Sequence, residues 1–142
     1  MDIPLLKLDV DLPTPSHSHP GDGGTDLCSR IDTVLEPRER QTVPTGIAVA
    51  IPEGFAGLVV PRSGLAARHG IGVVNGPGLV DSGYRGEVAV ILVNHGAAAF
   101  SIARGDRIAQ LVVVPVAVQD FVEVAELPGS TRGDGGFGST GR

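Results

Sequence analysis

Apolar positions along the chain fall in short runs broken by glycine, proline and polar turn residues, with little of the spacing that marks amphipathic helices. Thr45 to Ile51 alternates, setting Ile47, Val49 and Ile51 on one face of a strand that stops at Pro52. Beyond the turn Pro52-Glu53-Gly54, Phe55 to Val60 reads as the return strand. Gly72-Val73-Val74 and Val88 to Val93 flank a polar, Gly/Pro-dense segment, the pattern of a wide β-hairpin. Ile3 to Val10, Phe100 to Ala103, Ile108 to Val118 and Phe121 to Val124 supply further strands. Only Pro61 to Arg68 (PRSGLAAR) reads as a helix, with Ser63 as its N-cap. The pattern predicts about eight to ten short strands and one short helix, an all-β jelly roll or β-sandwich.

Composition sharpens this without changing it. A chain of 142 residues fits one domain. The 21 glycines and 11 prolines sit among 42% hydrophobic residues, which argues for a turn-rich fold rather than disorder. A net charge of −5 gives no basic field for a polynucleotide. Of 11 basic side chains only Lys7 is lysine, and arginine is the side chain that grips phosphate oxygens bidentately, so a small anionic ligand stays open. The single Cys28 forms no intrachain disulfide and reads as a small packed residue in a reducing compartment. No run approaches the ~18 apolar residues of a membrane span, and the N-terminus is too acidic for a signal peptide; the expectation is a soluble, cytoplasmic protein with neither membrane nor nucleic acid as partner.

Candidate chemistry concentrates in the wide hairpin. Asn75, Asp81, Tyr84 and Arg85 offer an amide, a carboxylate, an aromatic face and a guanidinium, and Gly76, Gly78, Gly83 and Gly86 expose backbone to a ligand; a pocket that reads a planar base needs those parts. Arg62 beside a helix start is a natural anion site. The His17 and His19 pair lies in a loop, Pro13 to Gly24, with no companion ligand cluster, and reads as a surface turn. Asp26 taken alone is a turn or capping residue. Arg-Gly-Asp at 104–106 and 132–134 carries no adhesion reading without a secretion signal. The tail, Pro128 to Arg142, is either a disordered end or an arm that orders on a ligand, because Arg132, Ser139 and Thr140 donate to phosphate and Phe137 can stack on a base.

Five segments in this order resemble the motifs of the trimeric dUTPase family: GGTDL at 23–27, PRSG at 61–64, NGPGLVDSGYRGE at 75–87, GDRIAQL at 105–111 and RGDGGFGSTG at 132–141. One departure is small, Gly23 standing where the family usually has alanine. The resemblance implies a jelly-roll domain over 1–127, an arm over 128–142 closing on the active site, and a homotrimer whose three sites each draw on all three chains. It implies Mg²⁺-dependent hydrolysis of dUTP to dUMP and pyrophosphate, which limits uracil in DNA and supplies dUMP for dTMP synthesis.

By the same resemblance Asp81 is the general base that activates water against the α-phosphorus. Arg62, Ser63 and Gly64 cradle the phosphates, Asp26 reaches the metal through water, and Gln110 positions beside it. Arg132, Gly138, Ser139 and Thr140 close from the tail, and Phe137 stacks on uracil. The backbone of Gly78, Leu79 and Val80 with the Asn75 amide reads the base, and Tyr84 packs on the deoxyribose so that a 2′-hydroxyl finds no room. Two rivals stand beside this: a dCTP deaminase relative of the same fold, with Glu87 as the conceivable acid, and a binding module without chemistry.

Overall fold

The computed structural model describes residues 1–136. It is an antiparallel β-sandwich of jelly-roll type with one short helix. Strand β1 (Leu5–Lys7) pairs with β5 (Ile47–Val49), and β3 (Thr33–Leu35) with β10 (Phe100–Ile102). A three-stranded sheet runs β4 (Arg40–Pro44), β9 (Ala89–Asn94), β7 (Ile71–Val73). The largest sheet runs β2 (Thr25–Cys28), β11 (Arg107–Pro115), β6 (Phe55–Pro61), β8 (Gly78–Val80). Period-2 alternation sends one side-chain set of each strand inward. Leu27, Val43, Val59, Leu92, Ile102 and Ile108, drawn from six strands, meet in one core cluster.

The predicted hairpin forms at its legs: β7 pairs with β9, Gly72 opposite Val93 and Val73 opposite Leu92. Its tip does something the pattern did not announce. Gly78 to Val80 leaves that sheet and pairs with β6 in the other, Val80 opposite Gly57 and Gly78 opposite Val59. Strand β8 thereby becomes a sheet edge, with alternate backbone groups facing away from β6.

Four expectations are corrected. The Pro52–Gly54 turn forms, Phe55 N donating to Pro52 O at 3.1 Å, but β6 pairs with β11 and β8 rather than returning along β5. The opening strand shrinks to Leu5–Lys7, because Leu8 N and Asp9 N both turn onto Gly46 O at 2.7 and 3.1 Å. Phe121 to Val124 is no strand: it pairs with no other segment among the described residues, and Phe121 is 93% exposed. Ser63 is the first helical residue of α1 (Ser63–His69), not its cap. Arg62 takes the cap position with extended backbone and no capping side chain, because a guanidinium has no acceptor to offer; it reaches to β2 and β11 instead. Helix α1 ends at Gly70, whose φ of 70° suits glycine, and a Cβ there would lie 2.8 Å from Gly96 N. No helix among the described residues is long and apolar enough to cross a membrane.

One polar side chain is fully buried where β9 ends. Asn94 Nδ2 donates to Leu35 O and to Ala98 O, both at 2.9 Å, and its Oδ1 accepts Gly96 N at 2.8 Å. This ties β3, β9 and the following turn together through a single carboxamide. Asn94→Ala leaves three backbone groups without partners and is expected to cost about 2–5 kcal/mol, read as a lowered urea midpoint. A loss under about 1 kcal/mol would show that other groups or water replace the amide.

Candidate active site

Three separated segments meet at Asp26, on edge strand β2. Strand β11 pairs with both β2 and β6, and the register sets Gln110 opposite Asp26 on one side and opposite Val60 on the other. Arg62, two residues beyond Val60, therefore reaches back across the sheet. Its Nε stands 3.2 Å from Asp26 Oδ1, where Gln110 Nε2 also donates at 3.2 Å. On Oδ2, Arg107 Nη1 donates at 3.1 Å and Ser18 Oγ at 3.3 Å. The Asp26 residue is only 9% exposed, and its carboxylate accepts three hydrogen bonds, from Gln110, Arg107 and Ser18, beside the Arg62 ion pair. Gly24 makes room for Gln110: a Cβ there would press on its side chain at 3.3 Å. Two guanidiniums share one carboxylate, so the cluster keeps net positive charge facing solvent. The amides of Ser63, Gly64 and Leu65 precede the first intrahelical bond, Ala66 N to Arg62 O, and lie next to that charge.

The hairpin residues gather elsewhere. Asp81 and Tyr84 line a cleft of about 230 Å³ with Leu79, Val80 and Glu87. Asp81 is exposed, and the Val80 side chain enters the core, which leaves that residue's backbone for recognition. Leu79 between them is 62% exposed. The Asn75 carboxamide lies over Gly78, where a Cβ would stand 3.2 Å from its Nδ2. Arg85 closes the turn on itself, Nη1 donating to Ser82 O and Tyr84 O at 2.6 and 2.7 Å. Arg132 is exposed, with Nε donating to Gly135 O at 2.9 Å. Phe137, Gly138, Ser139 and Thr140 lie outside the described residues.

The two groups occupy opposite edges of one sheet. From β2 to β8 there are three strand spacings, about 14 Å, and from the Asp26 row to Val80 three residues, about 10 Å, so Val80 stands on the order of 17 Å from Asp26 in one chain, and Asp81 lies one residue further away. The cleft beside Asp26 and Arg107 measures about 160 Å³. Both clefts fall below the ~300 Å³ at which ligand pockets begin.

Magnesium suits the Asp26 cluster only by way of phosphate and water. That carboxylate already holds two guanidiniums, an amide and a hydroxyl, and among the described residues no three His, Cys, Asp or Glu side chains gather. A hard cation that keeps its waters and arrives on a triphosphate fits such donors.

Arg107 and Ser18 carry no role in the sequence reading. Arg107 had one available signal, its place in the GDRIAQL segment with Gln110, whereas Ser18 had none. Regular alternation would set Arg107 and Gln110 on opposite faces, and only the register shift between Arg107 and Ala109 brings both to Asp26. His17, in the same loop, shares its Nδ1 with Gly24 O at 3.2 Å, a loop contact rather than a metal site. Arg104 of the first Arg-Gly-Asp is paired with Asp9 at 2.7 Å, and that contact holds the Asp9 carboxyl below its ordinary range.

Fold and clusters together define an antiparallel β-sandwich with an arginine-rich polar cluster on one sheet edge and a glycine-rich hairpin on the other. The dUTPase family model matches residues 10–141. Deoxyuridine 5′-triphosphate nucleotidohydrolase of Thermobifida fusca is 58% identical over 140 residues, covering 98% of this chain and 78% of that protein. That of Nocardia farcinica is 56% identical, covering 98% and 85%. Among solved structures, the dUTPase of Staphylococcus bacteriophage 80alpha with dUPNHPP superposes with a TM-score of 0.92 at 30% identity, covering 99% of both chains. A mutant dUTPase from phage phi11 of S. aureus, solved for its coordination of a structural Mg(II) ion, gives 0.83 at 28% identity over 89% of this chain and 98% of that one. The chain belongs to the dUTPase family, and with that membership it is an enzyme, a dUTP diphosphatase.

Cys28 stands behind the Asp26 cluster. Burial, and then the neighbouring Asp26 charge, push its thiol above the usual range. Thiolate is the reactive form, so alkylation of the native protein at pH 8 is expected to run well below the rate of the unfolded chain. Equal rates would mean that the β2 edge opens freely.

Proposed function

We propose that the chain binds the magnesium complex of dUTP in a site that no single subunit completes, and hydrolyses it between the α and β phosphates. The observation that carries this is the division of the family's parts between two edges of one sheet. One subunit's Asp26, Arg62, Ser63, Gly64, Arg107 and Gln110 meet a second subunit's Asn75–Tyr84 hairpin, and a third subunit supplies the arm from Arg132 to Thr140. Support for a homotrimer comes also from the 116–127 segment: Val118, Phe121, Val122 and Leu127 are each at least 79% exposed, a cost that burial against another subunit removes.

The phosphates enter against the cationic edge. Arg62 and Arg107 are held extended by Asp26 until phosphate oxygens compete for them. A guanidinium that turns to phosphate would leave an Asp26 oxygen open, and that carboxylate would then hold the metal through water. The metal supplies charge neutralisation on the triphosphate. The unpaired amides of Ser63 and Gly64 add donors, and the arm's Arg132, Gly138, Ser139 and Thr140 exclude bulk water.

Uracil lies along the free edge of β8. Its acceptor-donor-acceptor face suits alternating backbone N–H and C=O groups of Gly78 to Val80 together with the Asn75 amide, and Phe137 covers the ring. Cytosine reverses two of those groups and leaves unpaired donors and acceptors at about 1–3 kcal/mol each. Tyr84 walls off the 2′ position. Asp81, exposed at the cleft mouth, orients and deprotonates the attacking water.

Pyrophosphate release from dUTP, dCTP, dTTP and UTP, followed in parallel with Mg²⁺, tests the whole reading. Release from dUTP alone supports it, and release from dCTP with ammonia moves the protein to the deaminase branch. Asp81→Asn is expected to lower kcat by about 10²- to 10⁴-fold with dUTP binding retained; near-normal turnover would remove the base assignment. Truncation before Thr131 should leave the oligomer intact and reduce kcat/KM steeply, whereas an unchanged rate would take the arm out of the mechanism.

A further inference from the structure

The Tyr84 ring occupies a seat made by the three residues after it. Its hydroxyl donates to Glu87 O at 2.9 Å. The ring lies over Gly86, where a Cβ would fall 2.6 Å from Cζ and 3.0 Å from Cε2, so only glycine leaves the ring its place. The position of the ring therefore depends on where residue 87 is held.

Glu87 is held by its side chain. Its Oε1 accepts Gly46 N at 2.8 Å, and Arg30 Nη1 donates to both carboxylate oxygens at 3.3 and 3.4 Å. Arg30 has little freedom of its own. Its backbone N donates to Pro44 O at 2.8 Å, and its Nη2 donates to Leu8 O at 3.2 Å. The next residue is fixed as well, Val88 N donating to Ile47 O at 2.8 Å. A guanidinium 57 residues away in sequence thus fixes the anchor of the aromatic ring.

We infer that Arg30, acting through Glu87, is a positioning residue for sugar selection: it sets the clearance between Tyr84 and the 2′ carbon of the bound nucleotide. This rests on Tyr84 being the sugar wall. Arg30 does not touch the substrate, and its contribution is the restriction of a ring that otherwise tips outward. The ion pair is partly exposed, at 36% and 27% for the two side chains, so its grip is moderate.

The test measures kcat/KM for dUTP and for UTP on the same preparation. Their ratio cancels differences in protein stability and active fraction, which a merely structural ion pair would change. Arg30→Gln and Glu87→Gln are each expected to lower the dUTP/UTP ratio by about two- to fivefold, and Arg30→Lys to restore most of it. Gly86→Ala, which lifts the ring directly, should lower it further. Arg40→Gln, which removes an exposed charge on β4 that makes no ion pair among the described residues, should leave the ratio as it is. If Tyr84→Ala collapses the ratio while Arg30→Gln and Glu87→Gln leave it unchanged, the positioning role is overturned and the sugar wall stands. If Tyr84→Ala also leaves it unchanged, the sugar wall fails and this role with it.

Discussion

The double pairing of β11 is the constraint on which the site depends. One register with β2 and another with β6 set Asp26, Gln110 and Val60 in a row, and Arg62 follows Val60 out of the sheet. Slipping either pairing by one residue would turn Gln110 to the opposite face and withdraw a donor from a nearly buried carboxylate. The arrangement is held twice, by ladder hydrogen bonds along nine residues of β11 and by the charges that meet at Asp26. Among the described residues no buried side-chain nitrogen or oxygen lacks a partner, so the polar row carries no orphaned group.

The cationic cluster and the hairpin differ in how they are supported. Arginines facing solvent around one carboxylate are a charged surface waiting for an anion, whereas the hairpin is a sheet edge with spare backbone groups. A free edge next to exposed apolar side chains is a liability unless something covers it. The homotrimer proposed above would answer both needs at once and make activity inseparable from assembly: in a site shared by subunits, dilution below the association range removes catalysis without unfolding any residue.

Two buried or half-buried polar contacts hold the ends of the same long excursion. Asn94 latches the far end of β9 to β3, while Glu87, just before β9, is clamped by Arg30 and Gly46. Between them β9 is a rigid base for the chain that leaves from β7, crosses to β6 as β8 and returns through Tyr84. Precision at the loop tip is carried by strands that do not face ligand.

Alternation along the chain was enough to declare an all-β fold, the legs of the hairpin and the short helix, because burial of one face imposes period 2 locally. It could not tell that Phe55 begins a strand of another sheet, or that Phe121 to Val124 joins no sheet, since a strand's partner is not written in its own pattern. Residue chemistry likewise marked Asp26, Arg62, Gln110, Asp81 and Tyr84, whose types and neighbours carry the family's motifs. What tertiary structure decided was their grouping: Arg107 and Ser18 at Asp26, Arg30 behind Tyr84, and Asp81 on the opposite edge from Arg62 and Arg107. The physical reason is that side-chain chemistry is a property of one residue, while a register is a property of two strands brought together from distant parts of the chain.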